Sequence, residues 1–110
     1  MTAAPSGPRA ATLTTMTIFA VEYVYDLNRT KDIETLRPQH RAFLSDLNGK
    51  GVVIDYGPWL DNATPGALLL VRAENHDEAV KALDPDPFHR AHLITRRTAR
   101  AWKPVIGEIR

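Results

Sequence analysis

Two predicted strands joined by a short loop lie at the middle of the chain, in G-V-V-I-D-Y-G-P-W-L-D-N-A-T-P-G-A-L-L-L-V-R-A, residues 51 to 73. Valine and isoleucine favour a strand in the first part, which closes on Gly57 and Pro58. The segment W-L-D-N-A-T-P-G is rich in turn residues and predicts a loop. G-A-L-L-L-V-R-A is nearly continuous in apolar residues, which is typical of a strand covered on both faces. It should therefore be central in its sheet.

A strand and a helix precede this pair. T-I-F-A-V-E-Y-V-Y, residues 17 to 25, is rich in β-branched and aromatic residues and predicts a strand. Between residues 33 and 47 mainly apolar residues recur at spacings of three and four, which predicts one helical stripe. Proline is tolerated in the first turn of a helix, so Pro38 places the predicted start near Thr35 to Arg37. The helix should end at N-G-K-G, where a glycine can adopt the left-handed cap conformation.

A helix and a strand follow the pair. Asn75 with Glu78 three residues later resembles a capping box and predicts a short helix. L-I-T-R-R-T-A-R-A-W, residues 93 to 102, predicts the fourth strand. The order β-α-β-β-α-β is the ferredoxin-like arrangement, an α+β fold whose helices cover one face of an antiparallel sheet. The other face needs cover, and in so small a chain the candidate is a second copy, which predicts a homodimer through the sheet face.

Composition limits the possible functions. The 110 residues suggest one domain, and we predict a disordered extension over residues 1 to 15 and a folded domain over residues 16 to 110, with Met16 a candidate start. The absence of cysteine excludes a disulfide framework, a thiolate nucleophile and a cysteine-based zinc site. A formal charge of +1 gives no general attraction to nucleic acid or membrane. Since the sequence shows no signal-peptide core and no membrane-length apolar run, we expect a cytoplasmic protein.

A histidine interrupts the apolar stripe of the first helix, in R-P-Q-H-R-A-F-L-S-D-L, residues 37 to 47. Its place in the stripe predicts that His40 faces inward or lies at the edge of the core. If Pro38 lies in the first turn, His40 also lies near the helix N-terminus. The helix dipole and burial then both favour a neutral imidazole that can accept a proton. The alternative is a structural histidine that bonds a backbone carbonyl.

A second unusual stretch is D-P-D-P-F, residues 84 to 88. Asp86 before Pro87 is a common way to begin a helical turn, with Asp as the N-cap. In the alternative interpretation Asp86 reaches the ring N–H of His40, fixes its tautomer and raises its basicity. Such a pair is sufficient for general acid/base catalysis, and its members need not be close in sequence.

Other polar clusters carry weaker signals. His89 and His92, with His76, lack a carboxylate at matching spacing, so we predict no metal site. On a strand, R-R-T-A-R at residues 96 to 100 divides its arginines between two faces, which favours a solvated edge strand over a phosphate site. RNA-recognition modules share the element order, but the strand over residues 66 to 73 lacks their aromatic motif, so we expect no nucleic-acid partner.

The chain resembles the YCII-related family of small bacterial proteins. The matching pieces span about residues 16 to 105: F-A-V-E-Y, R-P-x-H ending at His40, Gly57-Pro58, G-A-L-L, D-P-F at Asp86 to Phe88, and W-K-P-V. The resemblance implies a dimeric α+β barrel with a His–Asp dyad, which falls here on His40 and Asp86. It also implies that Arg37 and Pro58 shape the pocket. A few family members are assigned lyase or dehydrohalogenase-like activity on hydroxylated aromatics.

Two functions follow from these features. In the first, a neutral His40 oriented by Asp86 abstracts a proton from a small cyclic or aromatic metabolite, and elimination or isomerisation proceeds without a cofactor. The pocket is expected to be lined by Phe43, Tyr23, Trp59 and Phe88. In the second, a non-catalytic dimeric small-molecule-binding or accessory protein holds a metabolite in the same pocket, and the dyad only orients it.

Overall fold

A computed structural model describes residues 16 to 107. The predicted extension over residues 1 to 15 lies outside the described residues, as do residues 108 to 110. Three helices and a four-stranded antiparallel sheet of order β2-β3-β1-β4 confirm the predicted ferredoxin-like α+β fold. The elements are β1 (Thr17–Tyr25), a 3-10 turn (Leu27–Arg29), α1 (Thr30–Gly49), β2 (Val53–Pro58), β3 (Gly66–Ala73), α2 (His76–Ala82), α3 (Pro87–Arg90) and β4 (Ile94–Trp102).

The helices cover one face of the sheet, and the core lies between them. Side chains of β1 alternate between the two faces, so Phe19, Val21, Tyr23 and Tyr25 are buried in this core. The central strand β3 contributes Ala67, Leu69, Val71 and Ala73 to the same layer. As predicted, G-A-L-L-L-V-R-A is central, between β1 and β2.

The opposite face of the sheet, which we call the outer face, carries half-buried and exposed side chains. Apolar members come from three strands: Ile18, Ala20, Val24, Leu68, Leu70 and Trp102. Charged members lie among them: Glu22, Arg72, Arg96 and Arg100. Within residues 16 to 107, none of the helices is long and apolar enough to cross a membrane.

Helix α1 begins earlier than the sequence predicts. It starts at Thr30, so Pro38 lies more than two turns inside it rather than in its first turn. The proline ring removes the N–H that would bond the carbonyl of Glu34. Glu34 and Pro38 are both exposed, so water can replace the lost partner, and the buried stripe of the helix continues past the proline. The predicted start near Thr35 to Arg37 is therefore wrong.

The end of α1 is as predicted. Gly51 adopts a left-handed conformation with φ of 79°. The amide of Val52 donates to the Leu47 carbonyl at 2.9 Å, and the amide of Gly51 donates to Asn48 at 3.0 Å. These two bonds form a Schellman motif, which returns the chain directly into β2.

Strand β2 contains an irregularity that matters for the site. Val53 pairs with Val71 of β3, whereas Asp55 pairs with Leu70, so the register shifts between Val53 and Asp55. In a regular strand, residues 53 and 56 would face opposite sides of the sheet. The shift turns Tyr56 to the same side as Val53, toward the helices.

Candidate active site

His40 lies in the core, at the middle of α1. Its side chain is fully buried, in line with Ile33 and Leu44 on the inward stripe of the helix. The imidazole stacks on the ring of Phe88, with centroids 3.8 Å apart and planes 6° from parallel. His40 faces the core as predicted, but it is far from the helix N-terminus. The dipole argument for a neutral imidazole therefore does not apply.

Asp86 bonds His40 and caps a helix at the same time. It is the N-cap of α3, and its Oδ1 accepts the Phe88 N–H at 2.9 Å. The same carboxylate lies against Nδ1 of His40, at 2.9 Å from Oδ1 and 3.0 Å from Oδ2. The two interpretations of D-P-D-P-F, a helix cap and a histidine partner, are therefore both correct.

Tyr23 completes the surroundings of the buried carboxylate. Its hydroxyl donates to Oδ2 of Asp86 at 3.0 Å. Asp86 thus accepts from the Tyr23 hydroxyl, the Phe88 amide and the N–H of His40, which satisfies a group that would be costly to bury alone. Burial, and then the charge of Asp86, raise the pKa of the Tyr23 hydroxyl far above its usual range.

This arrangement assigns the histidine tautomer. Nδ1 of His40 faces only the carboxylate, so it carries the proton and donates. On the other side of the ring, Nε2 lies 2.8 Å from the hydroxyl oxygen of Tyr56. With a neutral ring, Nε2 has a lone pair and accepts the Tyr56 O–H.

Tyr56 is half-buried and links the dyad to the surface. Burial raises its pKa, while side-chain interactions with Tyr25 and the Arg41 guanidinium lower it. Burial also raises the pKa of Tyr25 well above its usual range, and interaction with Tyr56 adds to the rise. Tyr56 therefore interacts with the Tyr25 side chain and donates its own O–H to Nε2 of His40.

Sequence reasoning missed Tyr56, Tyr25 and Arg41. Strict alternation along β2 would turn Tyr56 away from His40, and only the register shift brings it inward. Such an irregularity leaves no local signal in V-V-I-D-Y-G-P. The β1 pattern does place Tyr25 on the same face as Tyr23, so the alternation was a usable signal for that residue.

The predicted pocket residues fall into two groups. Arg37, Pro58 and Trp59, together with Tyr25, line a recess of about 250 Å³ that we call the Arg37 cleft. Tyr23 and Phe88 do not line it because they are buried, 0% and 1% exposed, against Asp86 and His40. Phe43 is partly buried and packs against the core.

A second recess is lined by Tyr56 rather than by Tyr25. Arg41, Ser45, Asn48 and Tyr56 line this recess of about 380 Å³, which we call the Arg41 groove. It adjoins the Arg37 cleft, since Arg37 and Arg41 are one helical turn apart and the side chains of Tyr25 and Tyr56 interact. Within residues 16 to 107, no carboxylate lies at salt-bridge distance from Arg37 or Arg41.

The remaining polar clusters have structural partners. Arg97 points toward the helices and pairs with Asp84 at 2.9 Å, whereas Arg96 and Arg100 lie on the outer face, so the predicted division of the arginines is confirmed. His89 lies 3.8 Å from the same Asp84. In the described part of the chain, no group of three or more histidine, aspartate or glutamate side chains is placed to hold a metal ion.

Comparison with known proteins agrees with the fold. A family model described as the YCII-related domain matches residues 17–103. A solved structure of 5-chloro-2-hydroxyhydroquinone dehydrochlorinase from Burkholderia phenoliruptrix AC1100, in complex with 2,5-dihydroxybenzoquinone, is similar with a TM-score of 0.68 and 24% identity. The match covers 78% of this chain and 93% of that one, and at this identity it shows the fold alone. None of the curated proteins matches the chain.

Proposed function

This chain belongs to the YCII-related family, and we propose that it is a cofactor-independent enzyme of lyase or isomerase type. Its substrate is a small hydroxylated, cyclic or aromatic metabolite, and the His40–Asp86 dyad supplies general acid/base catalysis. The observation that carries the proposal is the fully buried His40–Asp86 hydrogen bond, with the ring tautomer fixed and Nε2 directed toward the surface.

The free-energy cost of burying the Asp86 carboxylate argues against a purely structural role for the His40–Asp86 pair. A structural histidine needs only a backbone carbonyl, whereas a buried carboxylate carries a desolvation penalty of several kcal/mol. The chain offsets that penalty with donors from Tyr23, Phe88 and His40. A carboxylate held in this way stabilises the imidazolium that forms when Nε2 takes up a proton, as general-base catalysis requires.

The Arg37 cleft supports the substrate class. Its volume of about 250 Å³ suits a single ring, and Trp59 and Tyr25 offer it flat aromatic surfaces. The half-buried guanidinium of Arg37 can bond a phenolate, enolate or quinone oxygen. The structural relative acts on, and binds, hydroxylated six-membered rings of this kind. Arg37, Pro58 and Trp59 are therefore the substrate-contacting residues of this proposal.

The proposal includes a homodimer formed through the outer face. The apolar residues of this face, Leu68 and Leu70 among them, form a continuous patch on adjacent strands. Glu22 lies between strands that carry Arg72 and Arg100 on the same face, so charges of both signs are available for a two-fold interface.

The test uses 5-chloro-2-hydroxyhydroquinone as the probe, with chloride release and quinone absorbance as readouts. We expect His40→Ala to lower kcat at least about 100-fold, because general acid/base catalysis typically contributes that much. Asp86→Asn, which keeps an oxygen to cap α3, should also lose activity because the ring tautomer is no longer fixed. The matched control is His76→Ala, whose side chain is exposed and contacts Asp77 and Phe19 rather than the dyad. Full activity in His40→Ala would refute the proposal.

One observation favours the alternative of a non-catalytic binding or accessory protein. His40 is fully buried and Tyr56 occupies its Nε2, so the imidazole does not itself open onto a recess. In that case 2,5-dihydroxybenzoquinone should bind saturably in a calorimeter, Arg37→Ala should weaken the binding, and no chemical change should occur in either ring compound.

A further inference from the structure

The base of the dyad has one polar contact on its surface-facing side. His40 is 0% exposed, so a molecule in either recess does not touch its ring. Nε2 is in contact with the Tyr56 hydroxyl at 2.8 Å, and the two rings meet edge to face at a centroid distance of 5.3 Å. Any proton that reaches Nε2 in this arrangement therefore comes through the Tyr56 oxygen.

Tyr56 connects both environments. Its hydroxyl bonds His40 on the inside, while its side chain lines the Arg41 groove and interacts with Tyr25, which lines the Arg37 cleft. We propose that Tyr56 is the catalytic residue: it contacts a substrate that extends from the Arg37 cleft toward the Arg41 groove, and it relays the substrate's proton to His40. This inference rests on the proposed acid/base function and assigns the proton exchange with the substrate to the Tyr56 hydroxyl.

The relay is a double proton transfer. The bond from hydrogen to the substrate atom breaks, and that proton forms a new O–H bond on Tyr56. In the same step the original Tyr56 proton moves to Nε2 of His40, which becomes an imidazolium beside the Asp86 carboxylate. The electron pair left on the substrate expels a leaving group or forms an enolate, so charge and atoms balance. The reverse transfer returns the proton to product or solvent.

The surroundings of Tyr56 suit a relay. Burial raises the pKa of Tyr56 and keeps its O–H protonated, so that it donates to His40 at 2.8 Å. Interactions with the Tyr25 side chain and the Arg41 guanidinium lower the same pKa, so they favour the negative charge that develops on the oxygen. The Asp86 carboxylate, whose charge raises the Tyr56 pKa, bonds Nδ1 on the opposite side of the His40 ring. The competing explanation is a gate, in which Tyr56 swings away and the substrate meets Nε2 directly.

A probe compound that reacts when any base removes its proton distinguishes the relay from the gate. 5-Nitro-1,2-benzisoxazole opens to a coloured nitrophenolate when its ring proton is removed, and the N–O bond breaks in the same step. The initial rate is measured for the wild type, Tyr56→Phe, His40→Ala and the double variant, with circular dichroism to verify folding. We expect Tyr56→Phe to lose at least about tenfold in rate. In the His40→Ala background, it should cause no further loss.

Each other outcome contradicts a different statement. If His40→Ala is inactive but Tyr56→Phe keeps or exceeds the wild-type rate, Tyr56 is a gate and the relay is refuted while the dyad remains the base. If His40→Ala is as active as the wild type, the dyad itself is not the base, and the proposed function fails. If the wild type is no faster than buffer alone, the result counts against both the relay and the dyad. A ¹⁵N spectrum in which the Nε2 shift of His40 is the same in wild type and Tyr56→Phe also refutes the relay.

Discussion

All three tyrosines of the chain surround one histidine. Tyr23 donates to the Asp86 carboxylate, which bonds Nδ1 of His40, and the Tyr56 hydroxyl bonds Nε2. Tyr25 interacts with Tyr56. Each phenol has a pKa raised mainly by burial. The ionisation of tyrosine in this protein is therefore a property of the site alone.

The raised pKa values predict a loss of stability at high pH. Above about pH 10 the unfolded chain releases its tyrosine protons while the folded chain keeps them, so the unfolded state binds fewer protons and the free energy of unfolding falls. Below about pH 10 the tyrosines are protonated in both states, so the free energy of unfolding is not lowered. Each such tyrosine adds a slope of about 1.4 kcal/mol per pH unit above that value.

Urea unfolding at a series of alkaline pH values, combined with tyrosinate absorbance, measures this effect. We expect Tyr25→Phe to have a shallower decline than the wild type, since one titrating group is gone. If the native protein forms its full tyrosinate signal near pH 10, as free tyrosine does, the tyrosines are not buried as described.

At the level of single residues, the sequence identified the His40–Asp86 dyad but missed Tyr56, which bonds the dyad on the side of the recesses. His40 stood out because a polar residue occupied an apolar stripe, and Asp86 because two prolines isolated it. Tyr56 carried no such mark. Its direction depends on a register shift in β2, which arises from pairing with β3 and is not encoded in the alternation of β2 itself.

Among the elements, the contact between β1 and β3 fixes Tyr23 relative to the rest of the site. Gly66 pairs with Val24 in this ladder, and a Cβ at position 66 would overlap the carbonyl oxygen of Tyr23. Backbone cannot move away as a flexible side chain can, so only glycine fits here. The close approach of the two strands holds the Tyr23 hydroxyl in reach of Asp86.

Gly66→Ala should therefore destabilise the fold by roughly 1–3 kcal/mol, the typical cost of overpacking. The matched control is Gly57→Ala in the neighbouring strand β2, where an added Cβ meets nothing within 4 Å. Thermal unfolding of the two variants provides the measurement. Equal melting temperatures for both would show that β1 and β3 are further apart than described.

Element boundaries were predicted well where backbone chemistry decides them. The Asn75 cap, whose side chain accepts from the Glu78 amide at 2.9 Å, was identified. A left-handed glycine was predicted at either Gly49 or Gly51, and the structure has it at Gly51. The start of α1 was not, because the rule that proline begins a helix ignores tertiary packing. Burial of Ile33 and Leu44 on either side of Pro38 outweighs the lost hydrogen bond.

For the molecule as a whole, the order β-α-β-β-α-β of the predicted elements was enough to predict the α+β arrangement. The outer face of the sheet carries apolar side chains that no element of the single chain covers within residues 16 to 107. Leu70 lies on this face, opposite Ala20 of β1, and is half-buried in the single chain. It is therefore well placed to test the proposed dimer without disturbing the core.

We expect the wild type to have the mass of two chains in light scattering after size-exclusion chromatography, and Leu70→Glu to have the mass of one. A buried, unpaired glutamate at the interface would oppose association. The control is Leu60→Glu, at a loop residue that is 94% exposed. A wild type that elutes as a single chain would contradict the dimer.

The double role of Asp86 bears on how proteins of this kind can evolve. The carboxylate that orients His40 also closes the first turn of α3, so selection for a folded chain retains a side-chain oxygen at this position even when activity is not needed. Asparagine differs from aspartate by a single nucleotide change and keeps an oxygen for the cap. For the proposed enzyme, one mutation would thus lead to an inactive form that still folds and retains its cleft. The inherited scaffold would then be free to serve as a receptor for the same ring compounds.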